Sequence, residues 1–395
     1  MPTVQPSPFS APAAAPESRF HGPLVRIALY LVSVLLLGAI LAPGLYFSGK
    51  WLAGLLVSFK QADTPVIGWI AKKLTLHEFD SYYNRAFLVS ALGLLWPFLR
   101  WMGISRNSLG LRKNPLWLAD LLSGIVIAGG VLTIMGIALL QAGAFVRRAD
   151  AGWDSVLSQA LLSAAGASLV EEWIFRGIFL GVALRTAKAW KAIVFVAAFF
   201  SILHLIQAPS IDVKDKKQRQ TLTQMEKQNW TRLATTRAND PAKTDWVVDP
   251  SMAQFAPSKI NAGSGFAMTA VIFERNAKPA LFLSEFLTLF AIGLILAAAR
   301  VRTASLWMPI GLHAGWIFVN TLYMGTTMTT RALRGGEFNL GTGDNAVPLI
   351  GTQLKIGLVP LGVLLTTGFA VNLWLRLRAR KLPHAEADAK TGPVT

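Results

Sequence analysis

Residues 169–177 read LVEEWIFRG and place two adjacent glutamates and an arginine inside a segment that is otherwise small and apolar. A charged residue at the centre of a membrane helix costs about 2.5–3.5 kcal/mol on insertion scales, so it requires a partner or a function. Glu172 and Arg176 are four residues apart with the acid first, the favourable order for an ion pair along one helix face. Glu171 lies about 100° around the helix from Glu172, so the same arginine is poorly placed to neutralise both. The stretch predicts one intrahelical ion pair and one glutamate that needs another explanation.

The composition is that of a membrane protein. Of the 395 residues, 53% are hydrophobic and 15% are charged, whereas soluble domains usually carry about 25% charged residues. The absence of cysteine excludes disulfides, cysteine nucleophiles and thiolate metal sites. The net charge of +17 indicates cationic loops beside anionic lipid. We expect no nucleic-acid partner, because the chain has no module that combines basic and aromatic residues for that purpose.

Apolar stretches recur along the chain at lengths that suit membrane helices. About 20 apolar residues cross a hydrocarbon core about 30 Å thick. The stretches predict an all-α polytopic membrane protein with about eight transmembrane helices. The predicted spans lie near residues 24–47, 85–102, 117–145, 155–182, 189–207, 280–299, 304–325 and 350–375.

Lysine and arginine concentrate in alternate short loops between these spans. Arg185, Lys188 and Lys191 share one such loop, and Arg300 and Arg302 share another. Because short loops rich in positive charge face the cytoplasm, this distribution predicts that both termini are cytoplasmic. We expect a multi-pass protein of a bacterial inner (plasma) membrane.

Two of the five histidines fall inside predicted spans. His204 and His313 each lie in a separate hydrophobic helix with no adjacent charge. A single buried histidine is more often a core residue than a ligand or a catalyst. Two of them together with the leftover Glu171 are harder to dismiss, because imidazole and carboxylate are the parts of a water-activating site.

Three motifs carry a family resemblance. They are EEWIFR at residues 171–176, FSILH at residues 200–204, and GLHAGW around His313, in that order and in separate spans. In this the chain resembles the CAAX prenyl protease and bacteriocin-processing (CPBP, or Abi) intramembrane endopeptidases, over roughly residues 85–325. The resemblance implies an eight-helix fold with a polar cavity inside the bilayer. It also implies that Glu171 is the general base that activates water with help from His204, and that Glu172 and Arg176 shape and balance the site.

The resemblance further implies that His313 and an asparagine stabilise the oxyanion of the tetrahedral intermediate. The family commonly has H-x-x-x-N, which places the two side chains one turn apart. Here Ile317 stands at that position, and Asn320 follows His313 by seven residues, or about 10 Å along the helix. Either Asn320 substitutes from the next turn, or this donor is weakened or lost.

The participation of a metal stays open at the level of sequence. Glu171, His204 and His313 are of the types that make up a His₂Glu catalytic zinc site. The chain has no HExxH motif, and these candidate ligands lie on three helices. A water molecule activated by glutamate without a metal requires the same three residues.

The leading hypothesis is an intramembrane endopeptidase that acts on a membrane-associated or lipidated protein or peptide. A proton-coupled transporter is a second hypothesis, since intramembrane acids and histidines also build proton relays, although no inverted repeat is evident. The third is a catalytically inactive family member that acts as a membrane scaffold, which Ile317 favours.

We divide the chain into a disordered tail (1–23), a first transmembrane helix with an interfacial segment (24–84), a CPBP-like protease core (85–325) with an inserted polar loop (208–279), a loop (326–348), a last transmembrane helix (349–376) and a cytoplasmic tail (377–395).

Overall fold

The structure is a computed structural model of the chain. It describes residues 23–58, 65–103, 115–149, 151–209, 211, 250–255, 259–276, 279–334, 337–340, 347–351, 354 and 357–390. The chain folds into two compact units, one of which interrupts the other in sequence. The first unit contains the elements from residues 18–103 and 206–277, and the second contains those from 104–205 and 278–395.

Helices built around an aromatic core form the first unit. Its elements are α1 (Pro23–Ser58), α2 (Pro65–Leu76), α3 (Phe79–Trp101), a short 3₁₀ helix (Pro250–Phe255) and α8 (Ser264–Asn276). Tyr46 of α1 packs edge-on against Phe79 and Tyr82 of α3, and Phe79 stacks on Phe255 with ring centroids 5.8 Å apart. Such offset and edge-on pairs add to the free energy gained by burying the rings.

The second unit carries every residue that the sequence analysis proposed for catalysis. Its elements are α4 (Trp117–Gln141), β1 (Phe145–Arg147), α5 (Trp153–Glu172), a π-helical segment (Trp173–Phe179), α6 (Leu180–Thr186), α7 (Ala189–Leu205), α9 (Pro279–Thr303), α10 (Trp307–Thr326), β2 (Thr327–Thr329), α11 (Arg331–Arg334), β3 (Asn339–Leu340), β4 (Val347–Pro348) and α12 (Leu358–Lys390). The strands form two antiparallel pairs, β1 with β2 and β3 with β4.

Glycines bring α10 into backbone contact with α4. A Cβ atom at Gly315 of α10 would lie 2.7 Å from the carbonyl oxygen of Ile125, and one at Gly124 of α4 would lie 2.6 Å from the amide nitrogen of Leu312. Membrane helices associate closely where small residues let their backbones approach in this way. The contact determines where the side chains of α10 lie in the unit.

A buried ion pair joins α12 to α4. The guanidinium of Arg378 donates to Asp120 from Nε, at 2.8 Å from Oδ1, and from Nη2, at 3.0 Å from Oδ2. Asp120 is fully buried, and the bidentate geometry is the strong form of this interaction. The pair lies at the start of α4 and holds the far end of α12 against it.

The helical membrane class predicted from the sequence is confirmed, whereas the number of crossings is not determined. Within the described residues, four helical segments are long and apolar enough to cross a bilayer: Val25–Leu56, Trp117–Gln141, Glu285–Thr303 and Leu358–Arg378. The other four predicted spans correspond to α3, to α5 with the π-helical segment and α6, to α7, and to α10. These helices are shorter or less apolar, so the eight crossings stay a prediction.

Two segments predicted as loops contain regular structure. Most of the polar insert at 208–279 lies outside the described residues, but its last part forms the apolar helix α8. Ser264, expected in a polar loop, is the buried first residue of this helix, and its Oγ accepts from the amide of Asn261 at 2.9 Å. The segment 326–348 contains β2, α11, β3 and β4 rather than loop alone, because its backbone groups pair with β1 and with each other.

Candidate active site

Three helices deliver the candidate catalytic side chains to one place in the second unit. Glu171 and Glu172 are the last two residues of α5, His204 is the penultimate residue of α7, and His313 lies in the second turn of α10. After Glu172 the chain continues as a π-helical segment, in which the amide of Leu180 donates to the carbonyl of Phe175, five residues earlier. Such segments occur frequently at functional sites.

Glu172 forms the fully buried centre of the site. Its Oε1 accepts from Nη1 of Arg176 at 2.9 Å, the pair that the spacing of four residues predicts, and from Nδ1 of His313 at 2.8 Å. Neither Glu172 nor Arg176 is exposed at all. Arg176 Nη2 lies 3.5 Å from the carbonyl oxygen of Gly293 on α9. This carboxylate therefore links the end of α5, the π-helical segment and α10.

Glu171 faces the two imidazoles rather than the arginine. Its Oε2 lies 3.2 Å from Nε2 of His204 and 3.8 Å from Nε2 of His313. The side chain of Glu171 is 29% exposed and that of His204 is 16% exposed, so this side of the site is more open than the side around Glu172. Glu171, which is not part of the ion pair with Arg176, is thus the glutamate that lies beside both histidines.

The positions of the ring hydrogens follow from the partners of the two histidines. His204 Nδ1 lies 2.8 Å from the carbonyl oxygen of Phe200, and His313 Nδ1 lies 2.8 Å from the carboxylate of Glu172. Because these oxygens accept, Nδ1 is the donor in both rings, and in a neutral ring Nε2 is then an acceptor. Both Nε2 atoms face Glu171 Oε2, which is buried and accepts no hydrogen bond from the described residues. The converging acceptors can bind a hydrogen donor such as water.

The ring of Phe200 packs against three residues of the site. Its ring centroid lies 4.0 Å from that of His204 and 6.1 Å from that of His313, and the guanidinium carbon of Arg176 lies 4.4 Å from it. A cation over an aromatic face is stabilised electrostatically, most of all away from water. The ring thus fixes the orientation of His204 and adds a second stabilising contact for the buried arginine.

Asn320 lies apart from this cluster. It lines a small cavity of about 60 Å³ together with Trp316, Thr288 and residues of α12. Within the described part of the chain, Asn320 Oδ1 and Trp316 Nε1 are buried without a hydrogen-bond partner. The structure therefore brings five of the six proposed catalytic residues together and places Asn320 in the neighbouring cavity, two turns along α10 from His313.

Three features of the site were not predicted from the sequence. The contact between Glu172 and His313 joins residues 141 positions apart, and no local spacing encodes it. The carbonyl of Gly293 near Arg176 depends on the close approach of α9 to α7, where a Cβ atom at Gly293 would lie 2.8 Å from the Cα of Ala197. Phe200 was visible as the first residue of the FSILH motif, but its contact with Arg176 was not.

The residue types in the cluster are those of a zinc site. Oxygen from Glu171 and nitrogen from His204 and His313 are the ligand atoms of a His₂Glu site. Among the residues that the structure describes, however, no group of three or more His, Cys, Asp or Glu side chains is arranged to hold a metal ion. The zinc hypothesis stays a prediction.

The helices that carry the cluster coincide with a recognisable family segment. Residues 153–319 match the family described as type II CAAX prenyl endopeptidase Rce1-like. This match confirms the resemblance predicted from the three motifs. The Rce1-like segment includes the five clustered residues and ends one position before Asn320. No curated protein and no solved structure matches the chain.

The Rce1-like family is a protease family, and the described helices are those of a multi-pass membrane protein. The second observation rests on the four long apolar helices of the described residues. One of them, Glu285–Thr303, lies inside the matched segment, and the other three lie outside it. The chain therefore combines a membrane-embedded architecture with a peptidase-like segment that contains the cluster.

Proposed function

We propose that the protein is an intramembrane endopeptidase that hydrolyses a peptide bond of a membrane-associated or lipidated protein. The observation that carries this proposal is the convergence of Glu171 Oε2 on the Nε2 atoms of His204 and His313, at 3.2 and 3.8 Å. Carboxylate and imidazole at these distances can hold a water molecule and accept its proton. The match to the Rce1-like family supports the same reaction class.

In the proposed reaction, a water molecule bound between Glu171 and His204 gives its proton to the Glu171 carboxylate while its oxygen attacks the scissile carbonyl carbon. The backbone carbonyl oxygen of Phe200 accepts the Nδ1 hydrogen of His204. This hydrogen bond keeps Nε2 of the imidazole turned toward the water. The proton held by Glu171 then passes to the amide nitrogen as the C–N bond breaks. Base and acid roles thus fall on one carboxylate, in a site partly withdrawn from water.

In this scheme His313 and Glu172 do not accept the proton of the attacking water. They act through their charge. His313 donates from Nδ1 to Glu172, so its Nε2 can donate to the oxyanion only when the ring is doubly protonated. The Glu172 carboxylate lies 2.8 Å from Nδ1 of that ring, and Arg176 forms an ion pair with the same carboxylate. A donor aimed at the developing oxyanion is worth about 2.7–4 kcal/mol in a site of this type.

The deciding experiment uses Glu171→Gln, which keeps the size of the side chain and removes its basicity. We expect loss of a general base to lower kcat about 10²–10⁴-fold, measured on purified protein and as fragments that disappear from the membrane proteome of cells carrying the variant. Thr288→Ser lies in the Asn320 cavity and serves as a control for mild changes in the same unit. A folded Glu171→Gln protein that still processes its substrate would refute the peptidase proposal.

A catalytically inactive scaffold is the second candidate, and one observation favours it. Asn320, the proposed oxyanion donor, lines the separate cavity with Trp316, and Ile317 stands where the family commonly has asparagine. A scaffold would bind its protein partner equally well with Glu171→Gln and with His204→Ala, and neither variant would change any fragment. Partner binding that persists while fragments are lost would instead identify a protease.

A further inference from the structure

A groove of about 220 Å³ runs between α9 and α12, two of the four helices that are long and apolar enough to cross a bilayer. Leu294 and Ala298 line it from α9, and Val371 and Leu375 line it from α12. Along α9 the lining extends from Leu294 to Arg302, or about 12 Å at 1.5 Å per residue. This length and this apolar lining suit part of a lipid acyl chain.

One end of the groove is polar and positively charged. Arg302 and Asn372 lie there, and Nη1 of Arg302 donates to the side-chain oxygen of Asn372. The amide is neutral, so this bond leaves the charge of the guanidinium uncompensated. Within the described residues, Arg302 forms no ion pair with a carboxylate, in contrast to Arg378, which binds Asp120 at 2.8 Å. A guanidinium has five N–H donors, and most of those of Arg302 remain available to an anion.

A second guanidinium lies at the same end of α12. Arg376 follows Asn372 by four residues and therefore lies on the same face, one turn farther along the helix. Both Arg302 and Arg376 are exposed. A planar guanidinium matches the oxygens of a phosphodiester, and basic pockets between membrane helices bind anionic lipid head groups. The groove thus joins an apolar channel to a phosphate-binding end.

We propose that the groove between α9 and α12 binds one anionic phospholipid, with an acyl chain along Leu294, Ala298 and Val371 and its phosphate on Arg302. The site is built from residues outside the catalytic cluster. It does not depend on the proposed peptidase activity.

The test measures lipid binding to the purified full chain in a neutral detergent by native mass spectrometry. Phosphatidylglycerol and phosphatidylcholine with identical acyl chains are titrated separately. We expect the first phosphatidylglycerol to bind about tenfold more tightly than phosphatidylcholine, and Arg302→Gln to remove that difference. Arg185→Gln, which makes the same charge change on the exposed last turn of α6, leaves both affinities unchanged.

A second variant tests the apolar part of the site. A Cβ atom at Gly368 would lie 3.4 Å from Ile295 across the groove, so Gly368→Leu fills the space and weakens both lipids. Unchanged binding to a folded Gly368→Leu protein would overturn the placement of the chain in the groove. Equal losses in Arg302→Gln and Arg185→Gln would show general surface attraction and overturn the proposal. Arg302→Gln decides the question alone if Gly368→Leu does not fold.

Discussion

At the scale of single residues, the site depends on how two adjacent glutamates divide their partners. Glu172 Oε1 accepts from both Arg176 and His313, while Glu171 faces His204 and the other nitrogen of His313. The roughly 100° between consecutive residues on a helix directs them to different neighbours. One glutamate is consequently fully buried in an ion pair, and the other is partly exposed beside the two histidines.

Arg176→Met tests the structural half of this division. It leaves Glu172 buried without its guanidinium partner, so we expect the free energy of unfolding to fall by about 3–5 kcal/mol, measured by chemical unfolding in detergent. The exposed Arg185→Met is the matched control, with a change of about 0.5 kcal/mol or less. The double variant Glu172→Gln with Arg176→Met recovers part of the stability, because no uncompensated charge stays buried. Equal effects of the two arginine variants would contradict this account.

Asn320→Ala tests whether an asparagine two turns from His313 reaches the reaction. If it donates to the oxyanion, we expect kcat to fall about 10²-fold with little change in KM. Trp316→Phe alters the same cavity without removing the amide, and serves as the control. A rate unchanged by Asn320→Ala would remove this residue from the catalytic site.

At the scale of helices, the position of His313 depends on the contact between α10 and α4. Gly315 follows His313 by two residues and lies against the backbone of α4. A displacement of α10 would therefore move the imidazole away from Glu172, which it contacts at 2.8 Å.

Gly315→Ala tests this contact. The added methyl would lie 2.7 Å from the carbonyl oxygen of Ile125, so we expect a loss of about 1–3 kcal/mol in unfolding free energy by overpacking, together with reduced activity. Gly130→Ala in α4 is the control, since a Cβ atom there meets no other atom within 4 Å. The control is neutral or slightly stabilising because alanine favours the helix. Equal behaviour of the two variants would argue against a close-packed interface.

The connection between α2 and α3 carries a pH-dependent contact. Lys50 Nζ donates to the carbonyl oxygens of Thr75 and His77, and Arg85 Nη2 lies 3.0 Å from His77 Nε2, which accepts. Burial, followed by the nearby charges of Arg85, Lys73 and Lys50, lowers the pKa of His77 from 6.5 to about 4. The histidine is thus held neutral and serves as an acceptor.

This contact predicts that the first unit loses stability in acid. Between pH 6.5 and about 4 the unfolded chain binds a proton at His77 that the folded chain does not, so stability falls as the pH falls through this window. His77→Gln keeps an acceptor for Arg85 and does not titrate. We expect thermal unfolding of the two proteins to coincide at pH 8 and the variant to unfold at higher temperature at pH 4.5. Parallel curves at both pH values would refute the role of His77.

At the scale of the whole molecule, the surface is that of a protein solvated by lipid. Val126 and Ile134 of α4 are 69% and 70% exposed, and Phe369 of α12 is 70% exposed. Soluble proteins rarely leave large contiguous apolar surfaces open to water. The net charge of +17 is then carried by a minority of residues, and anionic lipid can compensate it.

The amino-acid sequence determined the membrane class and the identity of the catalytic candidates. Apolar length predicts membrane helices because hydrocarbon thickness is constant, and a charge in such a helix is conspicuous because it is costly. The pair of Glu172 and Arg176 was predictable because it is local. Apolar length alone leaves the number of crossings undetermined, because α7 and α10 are shorter or less apolar than the four long helices.

Only the tertiary structure decided which side chains meet. His204 and His313 are separated by more than a hundred residues, and their approach to Glu171 depends on how α7 and α10 pack against α5, which helical periodicity does not encode. The same packing turned Asn320 toward a separate cavity with Trp316 and placed Arg302 at the end of a groove. Local spacing sets the direction of a side chain around its own helix, whereas contacts across helices depend on backbone approach at glycines such as Gly315 and Gly293.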